Sequence, residues 1–248
     1  MTMGLSLPQT LRATLNKIKE CNAAVSGNYL DIGSGHGELI SEVIAEFKVE
    51  PHACDYTDEL IQIPDQSVDI VDLNKQTLPY EDDYFDLVTS TEVIEHLEDY
   101  RGTLKDIYRV LKPGGILVLS TPNILNIKSR LRFLIFGFWN LFGPLHLKES
   151  KKYSTGGHIN PIAYFYLAHS LSEIGFKKVN VSIDKKQTSS MIGLIFLWLP
   201  VKIFGALAFR KERIKYQTID TTNERFVREM NSSKLLLGRT LIVACIKP

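Results

Sequence analysis

Apolar residues along the chain recur at helix spacing and at strand spacing in turn. Leu7, Leu11, Leu15 and Ile18 predict a helix within residues 7–25 that ends before Gly27. Asn28–Ile32 reads as a strand, and Glu38–Phe47, carrying Leu39, Ile40, Val43, Ile44 and Phe47, reads as a helix. Pro51–Asp55 predicts a short strand and Asp58–Ile63 a short helix. Val68–Asp72 and Phe85–Ser90 read as strands, Tyr100–Leu111 as a helix, and Gly115–Thr121 as a strand rich in Leu, Ile and Val. A helix over Ile162–Ile174 stopped by Gly175, a strand over Phe176–Ile183 and a last strand over Thr240–Ile246 complete the order. This alternation predicts an α/β fold with a mainly parallel sheet covered on both faces. Ligands in such sheets bind outside the carboxyl ends of the strands, near the topological switch point.

Composition narrows the picture. A chain of 248 residues with 44% hydrophobic and 23% charged positions has the makings of one domain with an ordinary core. The net charge of +1 provides no global field for nucleic acid, which disfavours a nucleic-acid partner. Cys21, Cys54 and Cys245 are scattered and odd in number. They make neither a disulfide framework nor a Cys-based zinc spacing, so a reducing cytoplasm is the expected compartment. Residues 1–20 hold polar and charged positions throughout and show no apolar signal-peptide core.

The richest local motif is Leu30-Asp31-Ile32-Gly33-Ser34-Gly35-His36-Gly37, placed where the first strand should turn into its helix. Glycines there permit a tight turn and close approach of a ligand to the backbone. A dinucleotide fingerprint would need a glycine at position 38, which is Glu38, so a dehydrogenase reading fails. Asp31 would oppose a pyrophosphate but suits the cationic headgroup of an amino acid. Asp55 ends the second predicted strand, where a carboxylate can accept both ribose hydroxyls; a solvated strand-end aspartate is the alternative. Asp72 ends the third, within reach of an adenine edge, or else caps a turn.

Together with Asp31-Ile-Gly-Ser-Gly, two further segments, Leu78-Pro79-Tyr80-Glu81-Asp82-Asp83-Tyr84-Phe85-Asp86-Leu87-Val88 and Arg109-Val110-Leu111-Lys112-Pro113-Gly114-Gly115, stand in family order. On these motifs residues 28–183 and the last strand resemble class I methyltransferases, most closely the subgroup that includes ubiquinone-type O-methyltransferases. The resemblance implies a Rossmann-like, doubly wound, seven-stranded sheet with an antiparallel last strand, and S-adenosylmethionine as methyl donor. It implies that Asp31, Gly33 and Gly35 surround the methionine moiety, Asp55 the ribose and Asp72 the adenine. Ser34, Leu73 and Ser90 complete the implied cofactor-binding set. Pro113-Gly114-Gly115 reads as a turn that launches a strand.

Methyl transfer from a sulfonium needs alignment and removal of a proton more than covalent help. Thr91-Glu92-Val93-Ile94-Glu95-His96-Leu97 follows the fourth strand on the rim where an acceptor should lie. If helical, it puts Glu92, Glu95 and His96 on one face. His96 is then the candidate base with Glu95 beside it. The same set is similar to the metal site of ubiquinone-type and small-RNA 2′-O-methyltransferases. That resemblance implies a divalent cation, Mg²⁺ or another, held by Glu92, Glu95, His96 and His158 and acidifying an acceptor hydroxyl. His36 and His146 show no partner pattern and are expected in surface loops.

Two apolar runs, 131–147 and 191–209, fall outside the alternation. The second is long enough to raise the question of a membrane span. Pro200, Lys202 and the need to return to the sheet predict instead two shorter helices, in an interface or as a lid. Both runs leave the carboxyl rim, so the expectation is a single domain over 1–248 with apolar insertions at about 122–157 and 185–238. Peripheral membrane contact through 131–147 and 191–215 follows, with the basic residues after Phe209 facing anionic headgroups. The expected function is O-methylation of a glycan or lipid-linked acceptor in the cytoplasm, at the cytoplasmic face of a membrane. A quinone-like small hydrophobic acceptor is the alternative, and a non-catalytic Rossmann-like binding subunit the second.

Overall fold

A computed structural model describes residues 7–145 and 157–248. Its centre is one seven-stranded sheet of order β3-β2-β1-β4-β5-β7-β6. The strands are β1 (Ser26–Ile32), β2 (Lys48–Asp55), β3 (Val68–Ile70), β4 (Phe85–Thr91), β5 (Leu111–Pro122), β6 (Lys177–Ile183) and β7 (Thr240–Ile246). β1 to β5 pair in parallel, and β7 runs antiparallel to both neighbours. The chain winds outward from β1 through β2 to β3, then restarts at β4 on the other side. The switch point therefore lies between β1 and β4.

Each central strand is apolar on both sides because both sides are covered. Tyr29, Leu87, Val118 and Ile242 pack under α1 (Pro8–Cys21) and α2 (Glu38–Glu46), against Leu11, Ile18, Ile40 and Val43. Their chain neighbours Leu30, Val88, Leu117 and Val243 face the opposite layer. That layer is α3 (Tyr100–Val110) and α5 (Tyr164–Ile174), contributing Leu104, Ile107, Leu167 and Leu171. After β5 comes α4 (Ile127–Phe136); after β6 come α6 (Thr188–Lys211), α7 (Glu224–Glu229) and α8 (Ser233–Leu237).

The structure corrects several expectations. Asp58–Ile63 is an irregular loop, since six residues stopped by Pro64 cannot repay helix nucleation. β3 ends at Ile70, leaving Asp72 in the turn beyond it. β5 starts at Leu111, and its pairing with β4 slips between Leu111 and Ile116, so Pro113-Gly114-Gly115 is a bulge within the strand. Residues 191–209 belong to one helix that runs through Pro200, not to two. An interior proline costs about 3 kcal/mol, but α6 is held to the body on both sides of it, as shown below. Leu145 is the last described residue of the first apolar run; His146, Leu147 and Gly156 lie outside the described residues.

Candidate active site

The turn from β1 into α2 is built on glycines at positive φ: Gly33 at 73°, Gly35 at 50° and Gly37 at 82°. A methyl group on Gly33 would sit 2.3 Å from Val93 Cγ2, in the loop after β4. The two loops at the switch point thus touch, and only a residue without a side chain permits it. Gly37 is closed over in the same way by Ile61 and Ile63, 2.8 and 2.6 Å from where its Cβ would be. The loop read from sequence as a helix therefore roofs the glycine turn, and Gln62 N–H donates to the His36 carbonyl at 3.1 Å.

Asp31, at the end of β1, is buried and accepts a 2.6 Å hydrogen bond from Thr89 Oγ1. Burial pushes its carboxyl up to about 7; the Thr89 bond opposes this, and the charge of Asp55 adds to it. A cation placed beside such a carboxyl would favour its charged form. Asp55 ends β2 with Oδ2 accepting from Gly35 N–H at 2.9 Å and Oδ1 from Tyr56 N–H at 2.7 Å. Burial raises its pKa against those backbone bonds. Close by in sequence, the hydroxyls of Ser34, Ser90 and Thr91 are buried without a protein partner. Native interiors rarely leave such groups unpaired, so a polar ligand fits this crevice. Asp72 pairs with Lys75 at 2.7 Å and receives Asn74 N–H at 3.1 Å, the contacts of a turn cap. Leu73 packs against the main core.

The Glu92–His96 segment departs from the helix expected of it. Glu92 takes φ 57°, and only Ile94–His96 forms a short 3₁₀ turn. Glu92 is thereby aimed at β5: its N–H donates to the Ser120 carbonyl at 3.2 Å, and Ser120 Oγ donates to Oε1 at 3.2 Å. Burial lifts its pKa to about 7, opposed by Arg239. Glu95, His96 and His158 do converge, with one ligand atom from each within 4.8 Å of the others. Glu92 is not in that group. Glu95 Oε2 accepts from Thr121 Oγ1 at 3.0 Å, while Oε1 is buried without a partner. Burial, with the charge of Glu92 adding, pushes Glu95 well above the usual carboxylate range.

The two imidazoles stand edge to face, 4.6 Å apart. His96 Nδ1 lies 3.0 Å from the Gly157 carbonyl and His158 Nδ1 3.0 Å from the Leu141 carbonyl. A carbonyl only accepts, which assigns the proton to Nδ1 in both rings and leaves each Nε2 as a lone pair. Burial lowers the pKa of both, that of His158 to about 4 with His96 contributing, so both are neutral at pH 7. Thr89 and Thr121, which hold Asp31 and Glu95, were missed in the sequence, although a polar residue inside an otherwise apolar parallel strand is a visible signal. An open polar cleft beside α1, lined by Gln9, Arg12, Asn16, Glu20 and Asp184, shares no residue with this site.

A doubly wound sheet of this order, with a glycine turn and strand-end acids at the switch point, defines a class I S-adenosylmethionine-dependent methyltransferase. The profile of the family described as Methyltransferase domain matches residues 7–181, and the chain belongs to that family. It is 29% identical over 175 residues to the ubiquinone/menaquinone biosynthesis C-methyltransferase UbiE of Geotalea daltonii, covering 64% of this chain and 74% of the relative. It is 26% identical over 168 residues to the demethylmenaquinone methyltransferase of a Geobacillus species, covering 62% and 71%. Among solved structures, an S-adenosylmethionine-dependent methyltransferase from Archaeoglobus fulgidus superposes with TM-score 0.60 at 17% identity, over 96% of this chain and 94% of the other. The [4+2]-cyclase SpnF shares the fold at TM-score 0.54 and 18% identity, over 96% and 81%, so the fold by itself does not specify a reaction. Family membership does: the chain is an enzyme, and the reading as a non-catalytic subunit falls away.

Proposed function

We propose that this methyltransferase transfers the methyl group of S-adenosylmethionine to a hydroxyl of a glycan or lipid-linked acceptor, working in the cytoplasm at the inner face of a membrane. Asp31 receives the donor's ammonium group, Asp55 its ribose hydroxyls, and the glycine turn its methionine moiety. Ser34 and Ser90 supply hydrogen bonds, and Leu73 and Asp72 flank the adenine. The donor brings an activated methyl carbon on a neutral leaving group. The chain supplies alignment and a base: as the oxygen–carbon bond forms and the carbon–sulfur bond breaks, the hydroxyl proton passes to His96 Nε2. The Gly157 carbonyl, accepting from Nδ1, stabilises the imidazolium so formed.

One observation carries the acceptor class. An aromatic series runs from surface to site: Phe133 of α4 stacks on Trp139 at 3.9 Å, Trp139 shares an apolar cluster with Phe142, and Phe142 meets His158 at 5.3 Å. An acceptor with an apolar portion can lie along it with a polar end at His96. A quinone-like acceptor is the second reading, favoured by relatives named for quinone methylation. The test is transfer of labelled methyl from S-adenosylmethionine into a membrane lipid extract. Alkali-stable label is expected in the organic phase for a lipid-linked acceptor, or in a polysaccharide fraction tested alongside for a free glycan; label in neither would defeat the proposal.

A divalent cation fits the same cluster, because Glu95, whose Oε1 is buried without a partner, converges with two neutral imidazoles. Two nitrogens and one carboxylate suit Mn²⁺ or Zn²⁺ better than Mg²⁺. Held by Glu95, His96 and His158, such an ion would occupy His96 Nε2 and take the place of that base, acidifying the acceptor hydroxyl instead. Saturable Mn²⁺ binding that Glu95→Gln abolishes is the expected outcome of a calorimetric titration, and no heat above dilution would remove the ion from the account.

A further inference from the structure

The helix α6 is the one long element whose apolar surface this chain leaves uncovered among the described residues: none of its most apolar window is buried. The least exposed positions, among them Gly193, Leu197, Val201, Gly205 and Phe209, recur every four residues and form a single stripe. That stripe rests on the body from end to end. A methyl on Gly193 would touch Ile127 of α4, one on Gly205 would touch Asn231, and Arg228 of α7 covers the Phe209 ring at 4.5 Å. The rest of the circumference is apolar: Ile192, Ile195, Phe196, Leu199, Ile203 and Leu207 are all exposed, Ile195 and Phe196 to 76%. Leu134 and Ile135 of the neighbouring α4 are exposed to 80% and 82%.

Positive charge predominates around this apolar face. From Lys185 to Lys211, and again from Asn123 to Leu145, there is no acidic residue. Exposed Lys185 and Lys186 precede α6, and exposed Arg210 and Lys211 end it. Lys202, one position on from Val201, lies about 100° round from the body-facing stripe and can extend its amine along the flank.

We infer that α6 and α4 together form an in-plane docking face for an anionic lipid bilayer, with α6 lying in the headgroup–acyl boundary rather than crossing it. The inference deepens the function proposed above and rests on it only for the location of the acceptor. At about 36 Å, α6 is long enough to span. But the body follows it along its whole length, and spanning would carry Glu224, Arg228 and Asn231 into hydrocarbon. A lid would bury the outward face on this chain, and among the described residues nothing buries it. A symmetric pair of copies would set cation-bearing helix ends against cation-bearing ends in either direction, whereas anionic headgroups neutralise them.

The test is co-flotation of the full chain with vesicles of phosphatidylcholine, with or without phosphatidylglycerol. Binding to the mixed vesicles is expected, weakened about 30-fold by Arg210→Ala with Lys211→Ala at ~1 kcal/mol per cation. Leu199→Glu with Ile203→Glu is expected to abolish it. Trp198, with Trp139→Phe as optical background, should be quenched by lipids brominated near the headgroup and not by lipids brominated at the chain ends. Failure to float, unchanged flotation of the glutamate variant, deep quenching, or a dimer in solution that hides Trp198 would each overturn the inference. Titration with S-adenosylmethionine in solution reports separately on the active site and should be the same for every variant.

Discussion

The crevice at the ends of β1 and β4 and the rim formed by α4 and α6 are opposite kinds of surface. The crevice keeps polar groups inside: a carboxyl lifted to about 7, hydroxyls without partners, and a carboxylate oxygen with nothing to accept. The rim keeps apolar groups outside, Leu134, Ile135, Ile195 and Phe196 among them. Each inverts the usual rule of burial, and each inversion is a cost that binding would repay. The crevice asks for a small polar cation, the rim for an extended apolar phase. The two are joined through Trp139, Phe142 and His158.

Substitutions should separate the two regions by size of effect. In the proposed mechanism His96 takes the hydroxyl proton, so His96→Ala should lower kcat on the order of 10² to 10⁴-fold. Donor affinity in the same variant should stay within about twofold, because the ring's hydrogen bond and aromatic contact are made to Gly157 and His158, outside the glycine turn.

Gly33→Ala meets both a positive φ and Val93, and together these should cost about 3 kcal/mol of stability. Adding Val93→Ala should restore the part due to the clash and not the part due to the backbone. Gly137, which ends α4 at φ 76° with nothing within 4 Å, meets the backbone strain alone. Gly137→Ala should therefore cost about 1 kcal/mol. Thermal denaturation of the three variants checks the ranking.

Acidity should act on the crevice alone. A carboxyl raised from 3.8 to about 7 is increasingly protonated below pH 7 and loses its attraction for the donor's ammonium. Affinity for S-adenosylmethionine should then fall by up to about tenfold per pH unit below 7. The free protein should show the opposite trend. A raised carboxyl binds its proton more tightly when folded, so the stability it contributes is present at low pH and lost as pH rises through 7. Asp31→Asn should flatten the first dependence and reduce the second, to which Glu92, also raised to about 7, contributes with the same sign. The smallest effect belongs to the rim: Leu199→Glu should change stability by less than about 0.5 kcal/mol and leave donor affinity untouched.

The sheet was legible because periodicity is imposed by burial on both faces. Tyr29 and Leu30, or Val118 and Leu119, serve opposite layers, and an uninterrupted apolar strand follows. The glycine turn was legible because positive φ leaves a mark in residue type. What escaped was set by contacts distant in sequence. Glu92 turned toward Ser120 instead of His96 because its backbone entered the left-handed region beside β5, which no local pattern records. His158 came only from the family resemblance, and its proximity to Glu95 comes from Ile159 and Asn160 N–H donating to the Glu95 carbonyl at 2.9 and 3.0 Å. Pro200 suggested two helices because local propensity cannot see the body that holds both halves of α6.

The central claim is that the turn after β1 and the acid ending β2 grip the adenosyl donor. Calorimetric titration of the unmodified chain, Asp31→Ala and Asp55→Ala with S-adenosylmethionine tests it most directly. Each substitution should weaken binding on the order of 100-fold, as expected when a buried charge-assisted contact is removed. Equal affinity in all three proteins would contradict the account.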